Sequence, residues 1–262
     1  MALELRRGQQ THLSETTVAD DVQQTRIDLA AAYRLAAKQG FNEGICNHFT
    51  MMVPDSDDRF LLIPYGLHWS EVTATNLIEV DFDRNVIAGE GVAEATAFCI
   101  HAPIHRARAD ARCLLHTHMP WATALTMLED FRLPMASQNE LGFYGRIAYD
   151  DDYTGLAFDT DEGDRLAHVM GDADILLMAN HGVMIAGRTI AEAYDDLYYF
   201  EQTCRTLVLA LSTGQPLKRV PQDIVAKTAS QMNRQNSGRE GAHAHFAALK
   251  RILDREQPDY VS

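Results

Sequence analysis

The sequence has little of what marks a secreted, membrane-bound or nucleic-acid-binding protein. Its apolar runs, such as ILLMA and LVLAL, are far shorter than the roughly 20 residues that cross a bilayer. The opening MALELRRGQQTHLSETTVADD lacks the apolar stretch a signal peptide needs. Only four cysteines occur, Cys46, Cys99, Cys113 and Cys204, far apart and with no C-x-x-C. They read as reduced, buried thiols of a cytoplasmic protein. Basic residues are scattered and outnumbered: 23 Lys and Arg against 37 Asp and Glu give a formal net charge of −14. That balance repels phosphodiester backbones and anionic lipid heads, so neither nucleic acid nor membrane is expected as a partner.

What is present is the composition of a soluble globular chain, with 46% apolar and 23% charged residues over 262 positions. Residues 1–20 are polar and aperiodic and read as an exposed N-terminal arm. Residues 21–215 form the main domain, and residues 216–262 form an extension that reaches away from the core or onto a neighbouring subunit. A helix is expected from Thr17 to Gln39, with Gly40 as its stop. Strands follow at NHFTMMVP, RFLLIPYG, NLIEVDF and NVIAGEG, then a second helix over residues 93–109 that must accommodate Pro103. The remainder alternates: strand CLLHTH, helix WATALTML, strand GRIAYD, helix EGDRLAHVMG, strand DILLMAN and the long helix TIAEAYDDLYYFEQTCRTLVLALSTG. After Pro216 the chain is polar until a last amphipathic helix, HAHFAALKRILDRE.

With eleven histidines, an H-x-H triplet arises by chance about as often as not. His116-Thr117-His118 gains meaning from its setting, because residues two apart in a strand share a face and both imidazoles can reach one ion. His243-Ala244-His245 has the same spacing inside an expected helix, where residues two apart diverge. His181 follows the apolar strand DILLMAN and precedes Gly182, at a second strand end. Three neutral imidazoles would make a Lewis-acid site with an open position; the bland reading is three polar loop histidines. His101 and His105 stand four apart on the second helix, in a structural role or supporting the site from behind. Of Tyr144, Tyr149 and Tyr153, one phenol could serve as acid or hydrogen-bond donor, with packing the role of the others.

Taken together, NHFT at Asn47, LIPYG at residues 62–66, FCIHAPIHRARAD, CLLHTHMPWATAL, FYGRIAYDD and LLMANHGVMIAG resemble the class II aldolase and adducin family over about residues 20–215. The resemblance implies an α/β fold, a three-layer αβα sandwich around a mixed, largely antiparallel sheet. It implies His116, His118 and His181 as ligands of one divalent ion, zinc first and manganese or iron as alternatives. It implies a small-molecule substrate and a homotetramer with sites at subunit contacts, to which the C-terminal segment can contribute. The catalytic Glu of sugar-phosphate aldolases falls on Ala97, its preceding Ser pair on Ala95 and Thr96, and a Thr-Gly phosphate contact on Tyr65-Gly66. An ordinary phosphosugar is therefore not the expected substrate, since a positioned acid or base is worth about 100- to 10,000-fold in rate.

The expected function is a metal-dependent lyase, cleaving or decarboxylating a small carbonyl or hydroxy-acid compound. Asn47, Tyr65, Gly66 and Thr96 would contact the substrate, and Tyr144, Glu94 or His101 would stand in for the missing acid. Two alternatives remain open at this point: an adducin-like oligomeric module without catalysis, and an iron oxygenase built on the same three histidines.

Overall fold

The computed structural model describes residues 2–235 and 239–262, with side-chain surroundings for residues 19–232 and 239–262. The first helix, α1 (Ala2–Gln39), starts some fifteen residues before the expected Thr17. Leu, Glu, Arg and Gln in this segment are good helix formers, so helix persists where amphipathic periodicity is missing. The expected aperiodic arm is thus corrected to helical backbone.

Eight strands follow: β1 (His48–Met52), β2 (Arg59–Leu62), β3 (Ile78–Asp81), β4 (Val86–Ala88), β5 (Cys113–Thr117), β6 (Ile147–Asp150), β7 (Ile175–Met178) and β8 (Gly182–Gly187). They form one sheet in the order β4-β3-β2-β1-β5-β8-β7-β6, antiparallel throughout except for the parallel pair β6–β7. Between and after them run α2 (Ala95–Ala107), α3 (Pro120–Thr126), α4 (Gln138–Leu141), α5 (Thr160–Met170), α6 (Ile190–Leu211), α7 (Gln222–Gln235) and α8 (Glu240–Glu256).

Both faces of the sheet are covered, which is why its central strands read as continuous apolar runs rather than as alternating ones. On β5, Cys113 and Leu115 join the core shared with Leu29 and Tyr33 of α1 and with Tyr194 and Phe200 of α6. Leu114 points the other way, to Phe98 and Ile100 of α2 and Leu166 of α5. The same alternation places Phe49 and Met51 of β1 toward α1, and Met52 toward α2. This is the αβα sandwich around a mixed, largely antiparallel sheet. Pro103 is tolerated inside α2 because it leaves the Cys99 carbonyl without its usual helical donor just where α5 comes closest. A Cβ on Gly163 of α5 would lie 2.0 Å from that oxygen, so only glycine permits the contact.

The C-terminal segment does not reach away. Phe246 and Leu253 of α8 are buried in the core with α1 and α6, and the Tyr194 ring packs at a tilt 5.6 Å from that of Phe246. The last residues bond back to the main domain, Ala74 N–H to the Tyr260 carbonyl and Thr75 N–H to the Ser262 carbonyl. The apolar stripe of the last helix is satisfied within its own chain. The segment expected to be irregular before it carries α7, whose polar surface hides its period. Among the described residues, no helix is long and apolar enough to cross a membrane.

Candidate metal centre

His116 is in β5 and His118 one residue beyond it, while His181 closes the tight hairpin between β7 and β8. The hairpin turns through Asn180 in the left-handed region, φ 54°. Its approach to β5 requires Gly182: a Cβ there would sit 2.5 Å from the Thr117 carbonyl and 2.9 Å from the His118 ring. Asn47, itself left-handed at φ 68°, accepts the His118 backbone N–H on its side-chain oxygen at 3.1 Å. Two local features thus hold two histidine-bearing segments together. Glu201 of α6 adds a third, since its buried carboxylate accepts the N–H groups of Trp121 and Ala122 at the start of α3, just after His118.

The three rings stand 4.9 to 5.1 Å apart, each steeply inclined to the others, and one nitrogen from each falls within 4.8 Å of the other two. His116 Nδ1 donates to the Val183 carbonyl at 3.0 Å, which leaves Nε2 as its free acceptor. His118 Nδ1 bonds Glu43 Oε2 at 2.7 Å, and its buried Nε2 has no partner among the described residues. A buried polar atom without a partner is costly unless something meets it. An ion accepting three imidazole nitrogens meets this one, so the residues fit a divalent cation. Burial, reinforced by neighbouring histidines, holds His116 well below its ordinary pKa and His181 at about 4. Both are neutral at pH 7, the form that binds metal.

Next to the triad lies a cavity of about 210 Å³ lined by Cys46, Asn47, His48, Tyr65, Glu94 and Thr96, among others. Asn47, Tyr65 and Thr96 of the expected substrate contacts are therefore together. Gly66 is not among the lining residues; at φ 94° it makes the turn after Tyr65. Cys46 is exposed here, unlike the other three thiols, which corrects the expectation of four buried ones. Glu94 caps α2: its Oε2 accepts the Ala97 N–H at 2.7 Å and the Thr96 hydroxyl at 2.5 Å. Burial opposes its charge, but those hydrogen bonds prevail and hold the carboxyl below its ordinary value. Glu94 thus stands as a hydrogen-bond acceptor in the cavity wall.

Two further expectations need correction. His101 is fully buried and bonded through both nitrogens, to His48 and Thr50, so it does not face the cavity. Tyr144 precedes β6, whose far end, Asp150, is the one that pairs beside the hairpin. It lies toward the wrong end of the strand and accepts from Gln222 instead. The phenol near the triad is Tyr153, whose ring is 6.3 Å from that of His181. Tyr149 is engaged by the Leu133 N–H. Sequence reading missed Glu43 and His48, because each meets its partner more than fifty residues away and leaves no local spacing to find. A larger cavity of about 360 Å³ between α6 and α8 includes Arg146, already paired with Asp174 and Asp196, and among the described residues it brings no ligand set together.

Known proteins resemble this chain in sequence and fold. Residues 27–208 match the family described as Class II Aldolase and Adducin N-terminal domain. A Caulobacter vibrioides protein carrying a provisional class 2 aldolase name is 32% identical, covering 91% of this chain and 92% of its own. The decarboxylase NovR of Streptomyces niveus is 30% identical over 86% of this chain and 84% of its own. The crystal structure of an aldolase II superfamily protein from Pseudomonas syringae superposes with a TM-score of 0.86 at 35% identity, covering 92% and 96%. The chain belongs to the class II aldolase and adducin N-terminal domain family.

Proposed function

We propose that this protein is a divalent-metal lyase that cleaves or decarboxylates a small hydroxy or keto acid, with zinc as its resident ion. The observation that carries the reading is the convergence of His116, His118 and His181 within 4.8 Å, two of them oriented from behind by Val183 and Glu43. An ion held there supplies Lewis acidity toward a carbonyl or carboxylate oxygen of the substrate. Asn47, Tyr65 and Thr96 border the space where the rest of the substrate lies, and the Glu94 carboxylate offers it an acceptor. Tyr153 is the phenol placed to donate a proton, in the role the sequence had suggested for Tyr144. Ala97, fully buried, leaves no carboxylate where sugar-phosphate aldolases carry theirs, which argues for a different substrate.

A homotetrameric, cytoplasmic enzyme completes the proposal. Support for subunit contacts comes from Tyr153, Leu156 and Phe158, apolar residues left 51%, 69% and 69% exposed on the segment that passes His181.

The test combines metal content with turnover. Protein expressed with zinc, manganese or iron in the medium should hold about one ion per chain. It should release aldehyde or carbon dioxide from a panel of aliphatic and aromatic 2-hydroxy and 2-keto acids without consuming oxygen, and His118→Ala should do neither. Absence of metal refutes the enzyme reading. An oxygen requirement moves the protein to the iron oxygenases, and metal without turnover favours an adducin-like module.

A further inference from the structure

Three histidines outside the metal set lie in a single file behind the cavity. His48 and Thr50 of β1 share the sheet face that carries His116, and α2 presents His101 and His105 to them from above. His105 Nδ1 meets the Ala111 carbonyl at 2.7 Å, and its Nε2 meets Thr50 Oγ1 at 2.8 Å. The same Thr50 oxygen meets His101 Nδ1 at 2.6 Å, and His101 Nε2 meets His48 Nδ1 at 2.8 Å. His48 Nε2 ends the file, facing Glu94 Oε2 at 3.9 Å in the cavity wall.

The direction of every bond follows from one end. A carbonyl only accepts, so His105 Nδ1 carries the hydrogen and, in a neutral ring, Nε2 must accept. Thr50 has one hydroxyl hydrogen and gives it to His105, so it can only accept from His101 Nδ1. His101 Nε2 is then the acceptor, and the hydrogen between it and His48 sits on His48 Nδ1. His48 Nε2 is left with a bare lone pair. The three rings and Thr50 are buried, which favours neutral imidazoles, and the bonds of 2.6 to 2.8 Å link them directly.

We propose that this chain of hydrogen bonds fixes the tautomer of His48 so that its Nε2 accepts a hydroxyl hydrogen from the substrate, with Thr50, His101 and His105 as positioning residues. The proposal rests on reading the adjoining cavity as the substrate pocket, and it narrows the substrate class. His48 Nε2 and the ionised Glu94 are two acceptors with no hydrogen between them, and they stand at a distance that a donor group can bridge. A 2-hydroxy acid supplies that donor; the corresponding 2-keto acid has none. The proton-poor side of the pocket thus selects alcohols.

The tautomers are read directly by two-bond ¹⁵N–¹H correlation of ¹⁵N-histidine-labelled protein near pH 7.5, zinc-loaded and zinc-free, with resonances assigned from His48→Gln, His101→Gln and His105→Gln. All three rings should be Nδ1–H tautomers with an unprotonated Nε2. Thr50→Val should change the tautomer populations of His101 and His48, although His48 does not touch residue 50 by hydrogen bond, and Thr50→Ser should restore them. An Nε2–H tautomer or an imidazolium at His48 in the unsubstituted protein overturns the proposal, as does Thr50→Val leaving both rings unchanged. Because the reading needs no turnover, a protein that fails to bind zinc refutes the lyase function while leaving the hydrogen-bond file to be judged on its own.

Discussion

His116-Thr117-His118 and His243-Ala244-His245 share a spacing, yet one triplet ends a strand and the other sits inside α8. Where the strand ends, the two rings lie 5.1 Å apart and a third from the next hairpin joins them. On the helix, His245 turns aside to Asp195 at 2.8 Å and packs against Tyr198 and Tyr199, while His243 is exposed. The difference lies in the backbone and in what surrounds it. Strand geometry aims two side chains at one point, and Asn47, Gly182, Val183 and Glu43 then remove the remaining freedom.

Substitutions can break this contrast in order of severity. His181→Ala removes a ligand outright and should weaken zinc binding by more than the roughly 10- to 100-fold seen for outer partners, as measured by competition with a chelating dye. Gly182→Ala forces a methyl into the Thr117 carbonyl and the His118 ring. Thermal or urea unfolding should show a loss of about 1–3 kcal/mol, together with weaker zinc binding because the ring is displaced. Glu43→Ala leaves all three ligands but frees the His118 ring, and a loss of about tenfold in zinc affinity without loss of stability is expected. His245→Ala deletes a part-buried pair in the second triplet, should shift stability by about 1 kcal/mol, and should leave zinc affinity unchanged. Equal losses of zinc from His245→Ala and His181→Ala would erase the contrast.

Much of this was legible in the sequence because it is local. Apolar runs marked β1, β5 and β7, the H-x-H spacing on a strand put two imidazoles on one face, and Gly182 after His181 marked a tight loop, although strand β8 beyond it was not expected. The layers and the mixed, largely antiparallel sheet came through resemblance, and the structure has them; the order of the strands was not legible. What the sequence concealed depends on contacts between distant segments. Glu43 reaches His118 across 75 residues and Thr50 reaches His105 across 55, so neither pair has a periodicity to detect. Tyr144 and Tyr153 looked alike in a loop-rich stretch, and only the parallel pairing of β6 with β7 shows which end of the strand meets the triad. Glu94 drew notice for its closeness to Ala97, and its role as the cap of α2 follows from where that helix begins.

Zinc K-edge X-ray absorption on protein titrated with one equivalent of zinc tests the central claim most directly. Three imidazole nitrogens at roughly 2.0–2.1 Å, with lighter oxygen scattering from solvent and no sulfur, are the predicted shell. A sulfur contribution near about 2.3 Å, for which the exposed Cys46 is the available donor, or fewer than three imidazoles, would contradict the convergence of His116, His118 and His181.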